Sequence, residues 1–162
     1  MSTDLLTQNP PFGESLGFEF LEAENGRLRM RTPYAEHLVG DPDTGVIHGG
    51  VITAMLDNAC GRAVHLARED AGRDTEGAIA TLDLRIDYMS AAEPGKDLYG
   101  EAHCYRLTRN VAFVRATAYT ESAEQPVATA VGAFMLGTPS DCLLYTSPSP
   151  RDQRGSRMPS SA

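Results

Sequence analysis

Between residues 46 and 61 the sequence VIHGGVITAMLDNACG contains a single formally charged side chain, Asp57. It is set among Ile52, Ala54, Met55, Leu56, Ala59 and Cys60 at helical spacing, and the pattern continues to residue 68. The apolar positions nearly circle the axis, which predicts a helix enclosed by other structure rather than one lying on a surface. Ala54, Ala59, Gly61, Ala63 and Ala67 keep it thin enough for close backbone approach. His48-Gly49-Gly50 reads as the entry turn, where glycines leave the first amide N–H groups uncovered and the helix dipole points positive charge outward. A carboxylate in such surroundings needs either a function or a buried partner, and the stretch is read as an active-site helix.

The rest of the chain must supply much of what encloses it. With 162 residues, 41% of them hydrophobic, there is material for one modest domain with a single core. The net charge is −8, and residues 142–162 contribute three Arg against one Asp, so residues 1–141 are more acidic still. Such a body argues against nucleic-acid binding, whose footprint is a basic face. The opening MSTDLLTQNPPFGE has no basic or apolar segment of a signal peptide, and no apolar run approaches the roughly 20 residues needed to span a bilayer. Cys60, Cys104 and Cys142 are few and far apart, reading as reduced thiols rather than a disulfide framework or zinc site. A cytoplasmic protein without membrane attachment is expected.

Residues 12–16 are predicted to form a short helical turn after Pro10-Pro11. Strands are expected at 17–23 and 27–31, joined through Asn25-Gly26, a strong hairpin signal. Residues 34–45 read as a loop. After the helix, residues 78–89 alternate, with Leu82, Leu84, Ile86 and Tyr88 on one face and Thr81, Asp83, Arg85 and Asp87 on the other. Further strands are expected at 97–108, 111–121 and 127–136. Ala112, Ala116 and Ala118, then Ala128, Ala130 and Gly132, offer small faces against which a helix can lie. The order is two strands, a long helix, then four strands: an α+β fold in which one helix is wrapped by a curved antiparallel sheet. The exposed sheet edge and the all-round apolarity of the helix call for a partner subunit.

Residues 40–61, GDPDTGVIHGGVITAMLDNACG, with TLDLRIDYMSAAEPG, TRNVAFVRATAY and PVATAVGAFML, resemble the hotdog-fold acyl-CoA thioesterases of the PaaI-like (phenylacetate-degradation) type. The likeness covers about residues 12–137 and rests on HGG, an acid nine positions after His48, and the Tyr-Met-Ser strand end, all in order. It implies thioester hydrolysis of an acyl- or aryl-acyl-CoA by a homodimer, often a homotetramer, with coenzyme A as part of the substrate and neither cofactor nor metal. Thioester hydrolysis needs polarisation of the carbonyl oxygen and a base or nucleophile at the carbonyl carbon. Gly49 N–H suits the first task, with Gly50 beside it, and Asp57 the second, as base or as nucleophile. Eight residues along one helix is about 12 Å, too far for both to serve one carbonyl. An antiparallel copy of the helix can bring Asp57 of one subunit to Gly49 of the other, so a shared site is expected. Burial should raise the Asp57 pKa and N–H donors lower it. Its structural alternative is an acid bonded within the core.

The resemblance also implies roles for flanking residues. His48 would orient the entry loop or the substrate carbonyl, or simply pack. Thr81 matches a Ser or Thr that positions water or the acid, although strict alternation places it opposite Leu82, away from the helix unless a bulge intervenes. Asp41 is a departure: where relatives commonly read Gly-Asn-Pro this chain has Gly40-Asp41-Pro42, and an ionised acid can only accept hydrogen bonds. It could hold a water or simply form the turn. Tyr88 and the hairpin residues Arg106, Leu107, Thr108, Arg109, Asn110 and Val111 are implied for coenzyme A, the arginines as phosphate partners. Phe12, Tyr34, His37 and Leu38 are the residues whose packing would set pocket depth.

Rival readings weigh less. Gly13-Glu14-Ser15-Leu16-Gly17 matches G-x-S-x-G, but no strand precedes Ser15, HGG follows it, and the chain is short for a lipase-like hydrolase. His37, His48, His65 and His103 show no metal spacing. A hotdog enoyl-CoA hydratase would need a catalytic His with a long acidic partner, which is not seen. A non-catalytic acyl-CoA sensor would show tight binding without turnover. Finally, CLLYTSPSPRD at residues 142–152, back-translated, resembles a sequencing-library transposase adapter. Residues 142–162 are therefore expected to be a disordered read-through tail without function, outside the domain at 1–141.

Overall fold

A computed structural model describes residues 8–138, apart from residues 25, 26, 74 and 76. The Asn25-Gly26 turn and the expectations for residues 142–162 lie outside the described residues. The elements are α1 (Pro11–Ser15), β1 (Glu19–Glu24), β2 (Arg27–Thr32), a 3-10 turn (Glu36–Leu38), β3 (Val39–Asp41), β4 (Val46–Ile47), α2 (Gly49–Asp70), β5 (Ala78–Tyr88), β6 (Leu98–Leu107), β7 (Val111–Tyr119) and β8 (Ala128–Thr138). The six long strands form one antiparallel sheet in the order β1-β2-β6-β7-β8-β5, and α2 lies across it. This is the hotdog arrangement. The expected loop at 34–45 is more ordered than its composition suggested: β3 and β4 form a two-stranded ribbon that leads directly into α2.

The helix is seated by size complementarity. Met55, Leu56, Ala59, Cys60, Ala63 and Val64 are completely buried against Leu98 and Ala102 of β6, Ala112, Val114 and Ala118 of β7, and Leu28 and Met30 of β2. Gly100 allows this approach, since a Cβ there would lie 3.0 Å from Met55 Cε. The buried Thr32 hydroxyl donates to Met55 Sδ at 3.3 Å. Burying a side chain the size of Met or Leu contributes about 1.5–3 kcal/mol each, so this seam dominates the core.

Two features of α2 and β5 bear on these expectations. The chain does not enclose α2 all round: Thr53 is exposed, and Ala54, Asp57, Asn58, Gly61 and His65 are only partly covered, leaving an open stripe along one side. Nor does β5 alternate throughout. Its register with β8 slips between Thr81 and Asp83, which inserts a bulge, and Leu82 is turned out to 51% exposure. Gly132, expected to make room for the helix, instead makes room for this bulge: a Cβ there would lie 2.7 Å from the Asp83 carbonyl oxygen.

Candidate active site

The bulge decides where Thr81 points. Ile79 and Thr81 before it and Leu84 and Ile86 after it all face the helix, because the extra residue absorbs the change of phase. Thr81 Oγ1 therefore donates to Asp57 Oδ1 at 2.9 Å. Asp57 is half-buried on the open stripe of α2 and lines a pocket of about 380 Å³ with Asn58, Arg62, His65, Ile79, Thr81 and Phe134. Arg62, buried beside it, donates to Asn58 Oδ1, Asn9 Oδ1 and the Gln8 carbonyl at 2.6–2.9 Å, strapping the lead-in segment over this pocket.

The glycine turn is built separately. His48 is the N-cap of α2, with extended backbone (φ −62°, ψ 133°), and its Nδ1 accepts from Gly50 N–H at 2.9 Å. That bond leaves the ring proton on Nε2. It also occupies the Gly50 amide, whereas no described residue accepts from Gly49 N–H. Gly40 lets β3 run against the cap, since its Cβ would come 2.8 Å from His48 Cα. His48, Gly50 and Val51 face a pocket of about 540 Å³ whose other walls include Phe12, His37 and Leu38. Tyr34 is not among its walls; its hydroxyl donates to the Gly45 carbonyl at 2.9 Å. Ser15 is a wall of this pocket, and its Oγ bonds back to Phe12 within α1.

The remaining residues take distinct places. Both carboxylate oxygens of Asp41 are engaged in its own turn, Oδ1 by Asp43 N–H at 3.1 Å and Oδ2 by the Thr44 hydroxyl at 2.8 Å. The Tyr88 hydroxyl donates to the Gly49 carbonyl at 2.8 Å and lies 2.6 Å from Thr53 Oγ1, bracing the first turn of α2. Thr53 carried no signal beyond standing four residues after Gly49. The 106–111 hairpin sits beyond the far end of α2. Thr108 closes it through three bonds with Val111, and the Asn110 carbonyl accepts from Leu136 N–H. Arg106 and Arg109 are exposed and form no ion pair among the described residues. Arg73, which sequence reasoning missed, donates to the Thr108 and Arg109 carbonyls at 2.5 and 2.9 Å and fixes the hairpin against the helix end.

Within one chain, then, the carboxylate and the glycine turn open into two different pockets. The family model described as the thioesterase superfamily matches residues 44–127, which include the ribbon's second strand, all of α2 and the strands to β7. A Halobacterium salinarum protein named as an esterase is 32% identical over 121 residues, 72% of this chain and 77% of its own. The medium/long-chain acyl-CoA thioesterase YigI of Escherichia coli is 25% identical over 142 residues, 83% of this chain and 90% of its own. A crystal structure of a Pseudomonas aeruginosa protein is 44% identical, covering 76% of this chain and 88% of that one with a TM-score of 0.66.

Proposed function

Because the chain belongs to the thioesterase superfamily and is a thioester hydrolase, we propose that it cleaves acyl- or aryl-acyl-CoA to the free acid and coenzyme A, at sites shared between two subunits. The observation that carries this reading is the division of the machinery. Asp57, braced by Thr81, faces one pocket from mid-helix, and the Gly49 amide stands at the N-terminus of the same helix beside another. Each pocket lacks what the other holds, and a second copy laid antiparallel along the open stripe supplies it.

In this reading the acyl group enters the apolar pocket walled by Phe12, Leu38 and Val51. The thioester oxygen accepts from Gly49 N–H, with His48 Nε2–H as a second donor. Asp57 of the other subunit uses Oδ2, the oxygen that Thr81 does not hold. It either takes a proton from water as the water adds to the carbonyl carbon, or adds to that carbon itself. When water adds, the carbon–sulfur bond breaks to give the free acid and the coenzyme A thiolate, which takes the proton that Asp57 had accepted. When Asp57 adds, the thiolate leaves and is protonated from solvent, and water then hydrolyses the resulting mixed anhydride to the free acid and the regenerated carboxylate. Asp41 is assigned to forming the turn that presents His48. Arg106 and Arg109 are assigned to the phosphates of coenzyme A on the hairpin that Thr108, Asn110, Val111 and Arg73 hold in shape, and Tyr88 to the site wall. The E. coli relative acts on medium and long acyl chains by its name, which agrees with an apolar pocket of this size.

Subunit mixing tests the reading. Asp57→Asn removes the acid. Gly49→Pro removes the amide donor at the first helical position, where proline is tolerated and where His48 already has the backbone a proline requires. Each variant alone should be inactive towards phenylacetyl-CoA, benzoyl-CoA and medium-chain acyl-CoAs. Refolded together, half of the dimers carry one intact site of two, so about a quarter of the parental rate should return. Failure of the mixture to regain any rate, with heterodimers demonstrated, overturns the shared site.

A further inference from the structure

The sheet face turned away from α2 carries arginines that its acids use unevenly. Arg29 of β2 pairs with Glu22 at 2.9 Å, and Arg31 with Glu19 at 2.8 Å and Asp97 at 3.4 Å. Arg27, the third outward arginine of that strand, forms no ion pair among the described residues. In register it stands between Glu24 and His103, and His103 stands opposite Arg115 of β7. Arg27, His103 and Arg115 thus form one lateral row across three strands, on the face opposite the buried Leu28, Ala102 and Ala116. Arg115 also has no acid partner among the described residues. Its guanidinium lies over the Tyr105 ring, 4.5 Å from the centroid, which orients it and leaves its N–H edge available.

The row walls a cleft of about 200 Å³ together with Thr117 and Glu101, and Glu101 is engaged by the Tyr119 hydroxyl at 2.5 Å. Strands lie about 4.8 Å apart, so the two arginines start about 10 Å apart and can close from both sides over one tetrahedral anion above His103. Like charges set side by side across strands destabilise a sheet. This chain has 22 Asp and Glu against 14 Lys and Arg, acids enough to neutralise the row, yet among the described residues none is paired with it. Burial first, and then Arg27 and Arg115, hold the His103 pKa below its ordinary value, which fits a site whose positive field awaits an anion.

We propose that Arg27, His103 and Arg115 form an anion site on the outer sheet face that binds a phosphoryl group, either inorganic phosphate or the phosphomonoester of a larger molecule. It faces away from α2, so it is separate from the Asp57 and Gly49 pockets and does not rest on the proposed reaction. Inorganic phosphate is titrated at fixed pH and ionic strength while the His103 ring and Arg115 Nε resonances are followed, with chloride as control. Saturable shifts are expected with phosphate alone, weakened about tenfold or more in the Arg27→Gln/Arg115→Gln double variant. Without phosphate, that variant should unfold at the same denaturant concentration as the parent or a higher one, since relief of the like-charge contact offsets loss of the exposed Arg115–Tyr105 ring contact. A lower midpoint would mean that the arginines serve the fold, and unsaturated drift equal in parent and variant would mean that there is no site; either overturns the proposal. Coenzyme A and its 3′-dephospho form separate the sources: displacement of phosphate by coenzyme A alone identifies a phosphomonoester, and displacement by neither leaves inorganic phosphate.

Discussion

Asp57 and Thr81 meet at 2.9 Å, and the value of that contact can be measured apart from the acid itself. Thr81→Val keeps the shape of the side chain and removes the donor. A hydrogen bond to a charged group is worth about 1.5–3 kcal/mol, so if Thr81 orients Asp57 for the chemical step, kcat should fall about 10- to 100-fold. KM should stay within about twofold, and Thr81→Ser should restore most of the rate. Steady-state kinetics on one acyl-CoA checks this, and an unchanged kcat in the valine variant would remove Thr81 from the machinery. At this scale Asp57 was legible because a lone charge in an apolar helix stands out in one dimension. Thr53 and Arg73 were not: each acts on backbone carbonyls, of Gly49 in one case and of Thr108 and Arg109 in the other, and carbonyls leave no trace in a sequence. The engagement of the Gly50 amide by His48 was hidden likewise, since a backbone N–H is as silent in a sequence as a carbonyl.

Among the elements, β5 shows what periodicity misses. Alternation read from residues 78–89 gave the right strand and the right inward set from Leu84 onward, but put Leu82 inside and Thr81 outside. One inserted residue reversed both, and a bulge has no composition of its own. Its signature lay on the neighbouring strand, in Gly132, which was read as room for a helix. The pairing predicts a non-additive result. Gly132→Ala in the parent forces a Cβ to 2.7 Å from the Asp83 carbonyl and should cost about 1–3 kcal/mol in denaturant unfolding. In a chain lacking Leu82 the strand regains plain alternation with Ile79, Thr81 and Leu84 still inward, and the alanine should then cost less than about 0.5 kcal/mol. Equal penalties in both backgrounds would disconnect the glycine from the bulge. The ribbon of β3 and β4 escaped reading because strands of three and two residues are too short to show a period.

Across the whole molecule, the strand and helix order points to one helix wrapped by an antiparallel sheet, because a long apolar helix followed by four strands leaves few other ways to bury it, and the HGG and Tyr-Met-Ser motifs carry the resemblance to the hotdog fold. What the order could not show is how much of α2 one chain leaves open. His65 lies on that stripe, and burial first, then Arg68 and Arg62, hold its pKa below the ordinary histidine value. Its Nδ1 is buried without a partner among the described residues. The unfolded chain therefore binds a proton there more readily than the folded one, so this group favours folding above about pH 6.5, and that contribution is lost as pH falls through the depressed folded value. Chemical denaturation at pH 7.5 and pH 5 should show a smaller loss of stability in His65→Gln than in the parent; equal losses would dissociate His65 from acid sensitivity. No helix among the described residues is long and apolar enough to cross a membrane.

Arg73 follows α2 by only three residues, yet its guanidinium grips the carbonyls of a hairpin 35 and 36 positions further along the chain. Fraying at the carboxyl end of the helix and loosening of that hairpin are consequently one event. Warming should therefore slacken the grip on whatever the hairpin holds well before it disturbs the centre of the helix, where Asp57 sits.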